Sequence, residues 1–394
     1  MKTSSNEIEK RINKSDRFQF GSVFVLSACH FIHDIYSSFL APLLPLLIEK
    51  FSMSLAQAGF LSTVMQIPAL LNPFIGILAD RINVRYFIIL APISTAIPMS
   101  MIGVAPCYGV LLLLLFLAGI SIAVFHVPAP VMISRLSGIQ VGKGMSFYMA
   151  GGELARTIGP IAAVGSVSLL GLEGFYPIMV VGATASVWLF FKFPDIPIHH
   201  KTTETNPLIQ MWQETGYILL PLTAILVARG FMHASMTVFL PTFIKMETGN
   251  LWLAGVGLTL FEAIGVASVL ISGTISDHFG RRQILFISLL GAPISLFLFV
   301  MTHGWIRLIM LLFTGFTLLS TTPVMLALVQ ENAVNSPAAA NGMFMMISFL
   351  ARSAIVVVVG IIGDLVGLNG TYLISALMGL LGLPFIFMIP KSGR

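Results

Sequence analysis

Residues 76–85 read Gly-Ile-Leu-Ala-Asp-Arg-Ile-Asn-Val-Arg, and residues 273–282 read Gly-Thr-Ile-Ser-Asp-His-Phe-Gly-Arg-Arg. In each copy a glycine stands four positions before an acid, and arginines follow the acid. The two glycines are 197 positions apart in a chain of 394 residues. A charged loop that recurs after half the chain indicates that the protein consists of two related halves.

Two further pairs of segments recur at nearly the same distance. Phe31-Ile-His33-Asp34 is echoed by Phe231-Met-His233-Ala234, and Leu154-Ala-Arg156-Thr157 is echoed by Leu350-Ala-Arg352-Ser353. Echoes in the same order indicate two parallel six-helix repeats, related by an axis along the membrane normal. In this alignment of the repeats, the acid Asp34 corresponds to the apolar residue Ala234. We therefore expect proton coupling to involve residues of the first half.

The composition excludes an ordinary water-soluble globular protein. Hydrophobic residues make up 57% of the chain and charged residues only 9%, whereas a soluble domain carries about 25% charged residues. We therefore expect most of the chain to lie in a lipid bilayer. Cys29 and Cys107 are far apart and form no disulfide framework or metal-ligand spacing. The charged N-terminus lacks the short apolar core of a cleaved signal peptide.

Apolar runs of about 20 residues or more, long enough to cross a bilayer, predict twelve transmembrane helices. Their expected limits are 19–46, 55–78, 86–104, 108–134, 144–170, 174–193, 216–243, 251–274, 283–302, 305–329, 339–365 and 370–390. We expect an all-α membrane protein with two pseudo-symmetric six-helix bundles. The predicted parts are a cytoplasmic tail at 1–18, a bundle at 19–193, a cytoplasmic linker at 194–215 and a bundle at 216–390.

The distribution of Lys and Arg indicates which helix ends face the cytoplasm. With the N-terminus inside, 15 of the 21 basic residues fall in cytoplasmic segments, 3 in outer loops and 3 within spans. Cytoplasmic loops of membrane proteins are enriched in Lys and Arg. We therefore expect a multi-pass protein of a bacterial inner membrane, with both termini in the cytoplasm.

The two repeated loops lie at the cytoplasmic ends of predicted helices. Their glycines allow close helix approach, and their charges can pair in one conformation and separate in another. We expect a cytoplasmic gating role for Gly76, Asp80, Arg81, Arg85, Gly273, Asp277, Arg281 and Arg282. The alternative is that these residues only cap helices and set the topology.

The repeated loop resembles the signature of the major facilitator superfamily, and the resemblance covers essentially the whole chain. Within it, the chain is similar to the fosmidomycin-resistance group. The similar stretches are His30-Phe31-x-x-Asp34-x-Tyr36 with Pro42-Leu-Leu-Pro45, Phe125-His126 with Ser134-Arg135-x-Ser137-Gly138, and Gly151-Gly152 with Gly159-Pro160. The chain differs from the group where Val127-Pro128 follow His126, and at Glu153 and Arg156. The resemblance implies a transporter fold in which spans one, four, seven and ten line a central cavity.

Ionisable residues inside the spans are the candidate functional residues, because charge is costly in the hydrocarbon core. For substrate binding we expect His126, Glu153, Arg156, Arg229, His233 and Arg352. For proton coupling we expect His30, Asp34, Glu153 and Glu262. His30 lies one helical turn before Asp34 on the same face, so the two can share a proton. The alternative is a hydrogen bond that only fixes helix packing.

Three arginines within the spans suggest an anionic substrate bearing a carboxylate or phosphonate, which guanidinium groups bind through paired hydrogen bonds. Alternatively, acids from other helices neutralise the arginines, for example Glu153 for Arg352, and leave an apolar drug pocket. Glu153 and Arg156 are three residues apart and can also form a self-contained ion pair. Histidines four residues apart and clustered cysteines are absent from the sequence, so we expect no metal site.

We therefore predict a secondary active transporter that works by alternating access, is not an enzyme and needs no cofactor. The sequence has no Gly-x-x-x-x-Gly-Lys-Ser/Thr loop, so direct use of ATP is not expected. The first hypothesis is proton-coupled efflux of an antibiotic or amphiphilic organic anion by a monomer. The alternatives are uptake or facilitated diffusion of a small organic anion, and a membrane sensor or scaffold without transport. The expected partners are the solute, protons and the bilayer, with no nucleic acid.

Overall fold

The computed structural model describes residues 18–79, 84–138, 140–193, 207–332 and 337–389. These residues are 90% helical and contain no strand, which confirms the predicted all-α class for this part of the chain. The helices are α1 (Phe20–Ser37), α2 (Leu40–Phe51), α3 (Leu55–Gln66), α4 (Asn72–Ala79), α5 (Arg85–Met101), α6 (Tyr108–His126), α7 (Pro128–Leu136), α8 (Val141–Leu170), α9 (Met179–Lys192), α10 (Pro207–Ala234), α11 (Leu240–Thr248), α12 (Leu251–Phe279), α13 (Arg281–Met301), α14 (Gly304–Leu319), α15 (Thr321–Asn332), α16 (Pro337–Leu380) and α17 (Leu383–Ile386).

Among the described residues, eight helical stretches are long and apolar enough to cross a membrane. They are Phe20–Phe51, Arg85–Val104, Tyr108–Leu136, Thr215–Thr248, Leu251–Ser272, Arg281–Met301, Gly304–Asn332 and Gly342–Ile386. The last is broken at Gly367, where φ is 73°, so it supplies two spans. The shorter apolar helices Leu55–Leu71 and Tyr176–Lys192 and the 30-residue α8 add three more. These elements fit the predicted count of twelve.

Several spans are interrupted in the middle. The hydrocarbon core offers no hydrogen-bond partner to the backbone, so each span must satisfy its N–H and C=O groups internally. A break is tolerated only where it is buried in protein or lines a water-filled cavity. The first span breaks after Ser37, and the seventh contains a π-helical turn at Ser235–Phe239, close to the repeat-equivalent position. The fourth span breaks at Val127, between α6 and α7, because Pro128 and Pro130 supply no backbone donor.

The described helices form two compact units, of which the first contains α1 and α4–α9. Its core includes Leu26, Ile88, Phe125, Met132 and Leu189. Within this unit α1 lies directly against α8, because Gly151 has no side chain that would collide with the carbonyl oxygen of Ser27. Small residues of this kind let membrane helices approach closely.

The second unit contains α2, α3 and α10–α17. Its core includes Leu222, Leu289, Met325, Leu328 and Phe344. The helices α2 and α3 come from the first half of the sequence, yet they pack with the helices of the second half in this unit. The reason is a close contact between α3 and α16.

Glycines on both helices make the contact between α3 and α16 possible. A Cβ atom on Gly59 would lie 2.6 Å from the carbonyl oxygen of Val356, and one on Gly360 would lie 2.7 Å from Cα of Ala56. Beside them, Oγ1 of Thr63 donates to a backbone carbonyl of α16 at 2.7 Å. The two backbones are therefore in direct contact along this seam.

A Gly360→Val substitution should destabilise the second unit, because the new side chain would force α3 away from α16. Overpacking of this kind costs about 1–3 kcal/mol. The measurement is thermal unfolding of the purified chain in detergent. Gly342→Val on the same helix is the control, because a Cβ atom there meets nothing within 4 Å. Equal loss of stability in both variants would show that the close packing of α3 against α16 does not account for the effect of Gly360→Val.

Candidate functional site

The carboxylate of Asp34 lies at the centre of a polar cluster in the first unit. Its Oδ2 is 3.1 Å from Nε2 of His30, one turn earlier on α1. Its Oδ1 is 3.4 Å from Nε2 of His126, the last residue of α6. The exposed fractions of the Asp34 and His126 side chains are 13% and 35%. The structure thus brings together a predicted proton-coupling pair and a residue predicted to bind substrate.

His33 forms a third side of the same cluster, although the sequence pattern does not place it there. Its side chain is fully buried, and its Nε2 lies 3.9 Å from Oδ1 of Asp34. Its Nδ1 is 3.2 Å from the carbonyl oxygen of Ala91 and 2.9 Å from Oγ1 of Thr95. Thr95 in turn hydrogen-bonds Ser121 at 2.6 Å. Hydroxyl groups of α5 and α6 therefore support this imidazole.

The helix α8 holds His30 in place. The His30 ring stacks on Tyr148, with ring centroids 4.0 Å apart, and its Nδ1 lies 2.8 Å from the Tyr148 carbonyl oxygen. A Cβ atom on Gly152 would lie 2.6 Å from the His30 ring, so the ring occupies the space that a side chain would fill. The sequence shows the Gly151-Gly152 pair. The structure shows that Gly152 leaves room for the His30 ring.

Hydrogen-bond donors and acceptors in the cluster do not balance without an added cation. Nδ1 of His126 lies 3.0 Å from the carbonyl oxygen of Ile122, and Nδ1 of His30 also faces a carbonyl. A carbonyl only accepts, so each Nδ1 carries the hydrogen, and Nε2 of the neutral ring is then an acceptor. Both Nε2 atoms face the Asp34 carboxylate, which is an acceptor as well. The arrangement is favourable once a proton or another cation is shared between these atoms.

The second unit contains a buried cation, Arg229, on α10. Its exposed fraction is 5%, and Nη1 donates to Oγ1 of Thr322 at 3.1 Å. Nε has no hydrogen-bond partner among the described residues. The charge of Arg352 on α16 acts repulsively on Arg229, and the Arg352 guanidinium lies 5.8 Å from the ring of Phe349. The second unit therefore places the positive charge of Arg352 near a buried guanidinium group that keeps one donor without a partner among the described residues.

The remaining predicted site residues occupy several places. Glu153 on α8 forms an ion pair with Arg156, one turn later, as in the self-contained pair that the spacing allows. In the second unit, Nδ1 of His233 is 3.4 Å from Oγ1 of Thr237. Glu262 lies on α12 and is half-buried.

The predicted gating residues are partly described. Arg281 on α13 pairs with Asp277 and with Glu331 of α15, at 2.9 Å, and Arg282 donates to the carbonyl of Ile389 at 3.4 Å. Arg85 donates to the carbonyl oxygen of Phe190 at 2.8 Å. Gly76 and Gly273 lie within α4 and α12, whereas Asp80 and Arg81 lie outside the described residues.

Comparison with proteins of known sequence gives full-length relatives. The fosmidomycin resistance protein of Escherichia coli (strain K12) is 26% identical over 387 residues, which cover 94% of this chain and 93% of that protein. An MFS-type transporter of Bacillus subtilis (strain 168), YfnC, described as uncharacterised, is 22% identical and covers 98% of this chain and 97% of its own length.

Comparison with solved structures shows the fold. A bacterial homologue of the human lysosomal transporter Spinster, in an inward-facing and unoccupied conformation, has a TM-score of 0.81 at 16% identity and covers 94% of this chain and 97% of its own. A D-xylose–proton symporter has a TM-score of 0.77 at 15% identity and covers 95% and 98%. The family model described as Major Facilitator Superfamily matches residues 26–356 and 253–394. The chain is a multi-pass membrane protein and belongs to the major facilitator superfamily.

Proposed function

We propose that the protein exports a small organic anion, such as an antibiotic, across a bacterial inner membrane in exchange for protons. Both termini would lie in the cytoplasm, as the excess of Lys and Arg on that side favours. The observation that carries the proposal is the cluster of acceptors around Asp34, which requires a shared cation. The proton is the cation always available at the membrane surface.

The direction of transport rests on the relative from Escherichia coli, whose name describes resistance to fosmidomycin. Resistance through a membrane transporter is most simply explained by export. Protons that enter down their gradient would supply the free energy, and Asp34 with its histidines would carry them. Uptake of a small organic anion is the second hypothesis. The two hypotheses can be distinguished by imposing a pH gradient of each sign and measuring the direction in which the solute moves.

An Asp34→Asn variant should lose pH-driven accumulation, because the amide keeps the size of the carboxylate but cannot gain and lose a proton. The measurement is accumulation of fosmidomycin in proteoliposomes with an imposed pH gradient. We expect the variant to equilibrate the solute without concentrating it. Glu173→Gln, which changes an acid in the loop between α8 and α9, should still concentrate it. Full pH-driven accumulation by Asp34→Asn would exclude the proton role.

We place the binding of the anion's negative group at Arg229 and Arg352. The support is the burial of Arg229, its unsatisfied Nε and the second positive charge of Arg352 nearby. A guanidinium group binds carboxylate or phosphonate oxygens through two parallel hydrogen bonds. Thr322 would orient Arg229 through the bond to Nη1.

An Arg229→Gln variant should bind the anion more weakly. A hydrogen bond to a charged group is worth about 1.5–3 kcal/mol, so KM for fosmidomycin should rise roughly 10- to 100-fold. Arg307→Gln is the control, because Arg307 pairs with Glu247. If the site is instead an apolar drug pocket, a cationic amphiphile will be the better substrate and Arg229→Gln will not change its KM.

Alternating access requires contacts that form and separate, and the seam between α3 and α16 is one such candidate. The Asp364 carboxylate accepts the backbone N–H of Leu55 at 2.6 Å and of Ala56 at 3.0 Å. It therefore caps the N-terminus of α3 from a distant helix, where a negative charge is favourable. Lys245 and Glu49 pair α11 with α2 in the same unit. We propose that this seam is a gate: its contacts hold α3 in the second unit while the gate is closed, and they separate when it opens during transport.

An Asp364→Ala variant should favour the open gate. Loss of a helix cap costs about 0.5–2 kcal/mol, which would shift the ratio of open to closed gate by roughly 2- to 30-fold. The measurement is the distance distribution between spin labels at positions 57 and 366, in a background without Cys29 and Cys107. Asn250→Ala is the matched control, because Asn250 caps its own helix α12 through the N–H groups of Trp252 and Leu253. Identical distance distributions in Asp364→Ala and the parent would contradict the gate.

A further inference from the structure

The cluster around Asp34 also has the composition of a metal site, which the spacing of the histidines in the sequence does not reveal. His30, Asp34 and His126 each offer one ligand atom, and the three atoms lie within 4.8 Å of one another. Imidazole nitrogen and carboxylate oxygen are the ligands of many zinc sites. We propose that these three residues bind a divalent transition-metal ion, with Zn²⁺ as the best fit and His33 as a fourth ligand within reach.

The distances between the ligand atoms suit a tetrahedral ion. Zinc binds nitrogen and oxygen at about 2.0–2.2 Å, so neighbouring ligand atoms of a tetrahedral site are roughly 3.3 Å apart. Nε2 of His30 is 3.1 Å from Oδ2 of Asp34, and Nε2 of His126 is 3.4 Å from the other carboxylate oxygen, Oδ1. With one atom from each residue, the three ligand atoms lie within 4.8 Å of one another, so a tetrahedral ion would draw them together by up to about 1.5 Å.

The hydrogen bonds on the far side of each ring prepare the histidines as ligands. Metal-bound histidine almost always donates its other N–H to a carbonyl or carboxylate, which fixes the ring and its tautomer. Nδ1 of His30 and Nδ1 of His126 face backbone carbonyl oxygens at 2.8 Å and 3.0 Å. Both Nε2 lone pairs therefore point at Asp34 before any ion arrives.

His33 supplies an independent observation in favour of a ligand. It is fully buried, and its Nε2 has no hydrogen-bond partner among the described residues although it faces Asp34 at 3.9 Å. A buried polar atom without a partner is costly, and a bound ion would satisfy it. Oδ1 of Asp34 also has no hydrogen-bond partner among the described residues, and it lies 3.9 Å from Nε2 of His33 and 3.4 Å from Nε2 of His126.

The charges around the cluster allow a divalent ion. Asp34 contributes one negative charge, and neutral histidines contribute none. Among the described residues, Arg156 repels a positive charge at His126, and the ion pair of Arg156 with Glu153 offsets its repulsion of a metal ion. The partial exposure of His126, 35%, gives an ion a way to enter.

Metal and proton would compete for the same atoms. Zn²⁺ needs the Nε2 lone pairs and the ionised carboxylate, which are the atoms that hold the shared proton. The proposal that Zn²⁺ binds depends only on the arrangement of these ligand atoms. The expected effect of Zn²⁺ on transport rests, in addition, on the proposed function. We therefore expect Zn²⁺ to inhibit pH-driven transport, and a chelator to restore it.

The test is calorimetric titration of the full chain with ZnCl₂ alone, in detergent and without a histidine tag. We expect one Zn²⁺ per chain, with Co²⁺ in its place giving the visible absorption of a tetrahedral complex. Asp34→Asn and His126→Gln should each weaken binding by more than the roughly 10- to 100-fold that the loss of an outer-shell partner costs. His303→Gln, the control at the start of α14 in the second unit, should bind as the parent does. Thermal unfolding verifies that each variant is folded.

Two results would overturn the metal site: no Zn²⁺ binding by the parent chain, or equal binding by the parent, Asp34→Asn and His126→Gln. Transport measured in parallel separates this inference from the proposed function. A chain that concentrates fosmidomycin under a pH gradient yet binds no Zn²⁺ keeps the transport proposal and loses the metal site. A chain that binds Zn²⁺ through these residues but shows no pH-driven transport keeps the metal site and loses the transport proposal.

Discussion

The hydrocarbon core of a bilayer offers no hydrogen bonds to a protein, and most of this structure follows from that constraint. The backbone must satisfy itself, which makes the spans helical and confines their breaks to protein-lined positions. The same constraint governs side chains. Asp34 sits inside the membrane-spanning part of α1, and three imidazoles from α1 and α6 surround its carboxylate. Arg229 has Thr322 as its hydrogen-bond partner. The polar chemistry of the chain is therefore concentrated in a few enclosed places, and these are the places where function is expected.

Local patterns predicted much of this architecture, because they depend on neighbours in sequence. Apolar runs fit the spans, the repeated loop indicated the family, and the spacing of His30 and Asp34 placed both on one helical face, where they meet at 3.1 Å. The spacing of Glu153 and Arg156 made an ion pair within one helix one of the alternatives, and the structure contains that ion pair. In each case one helix carries both partners, so its geometry alone decides the contact.

Contacts between distant segments could not be predicted in this way. His126 was expected to bind substrate, and only the packing of α6 beside α1 shows that its imidazole faces Asp34. His33 lies on a different face of α1 from Asp34, but it reaches the carboxylate from the side because α5 holds its ring through Thr95. Asp364 caps a helix that begins at Leu55, more than 300 residues earlier. No local pattern marks such a pair, since either residue alone is an ordinary acid or an ordinary helix start.

The break between α6 and α7 has a consequence for energy coupling. His126 is the last residue of α6, and Pro128 begins α7. The imidazole is therefore attached directly at the break between the two helices. A few degrees of bending at this break would change the distance between Nε2 and the Asp34 carboxylate. If Asp34 and His126 share a proton as proposed, whatever favours one bend angle would alter the affinity of this pair for the proton. By thermodynamic reciprocity, binding of the proton would shift the preferred bend angle by the same free energy. Binding of a single proton at Asp34 and His126 would thus change the tilt of α7 relative to α6.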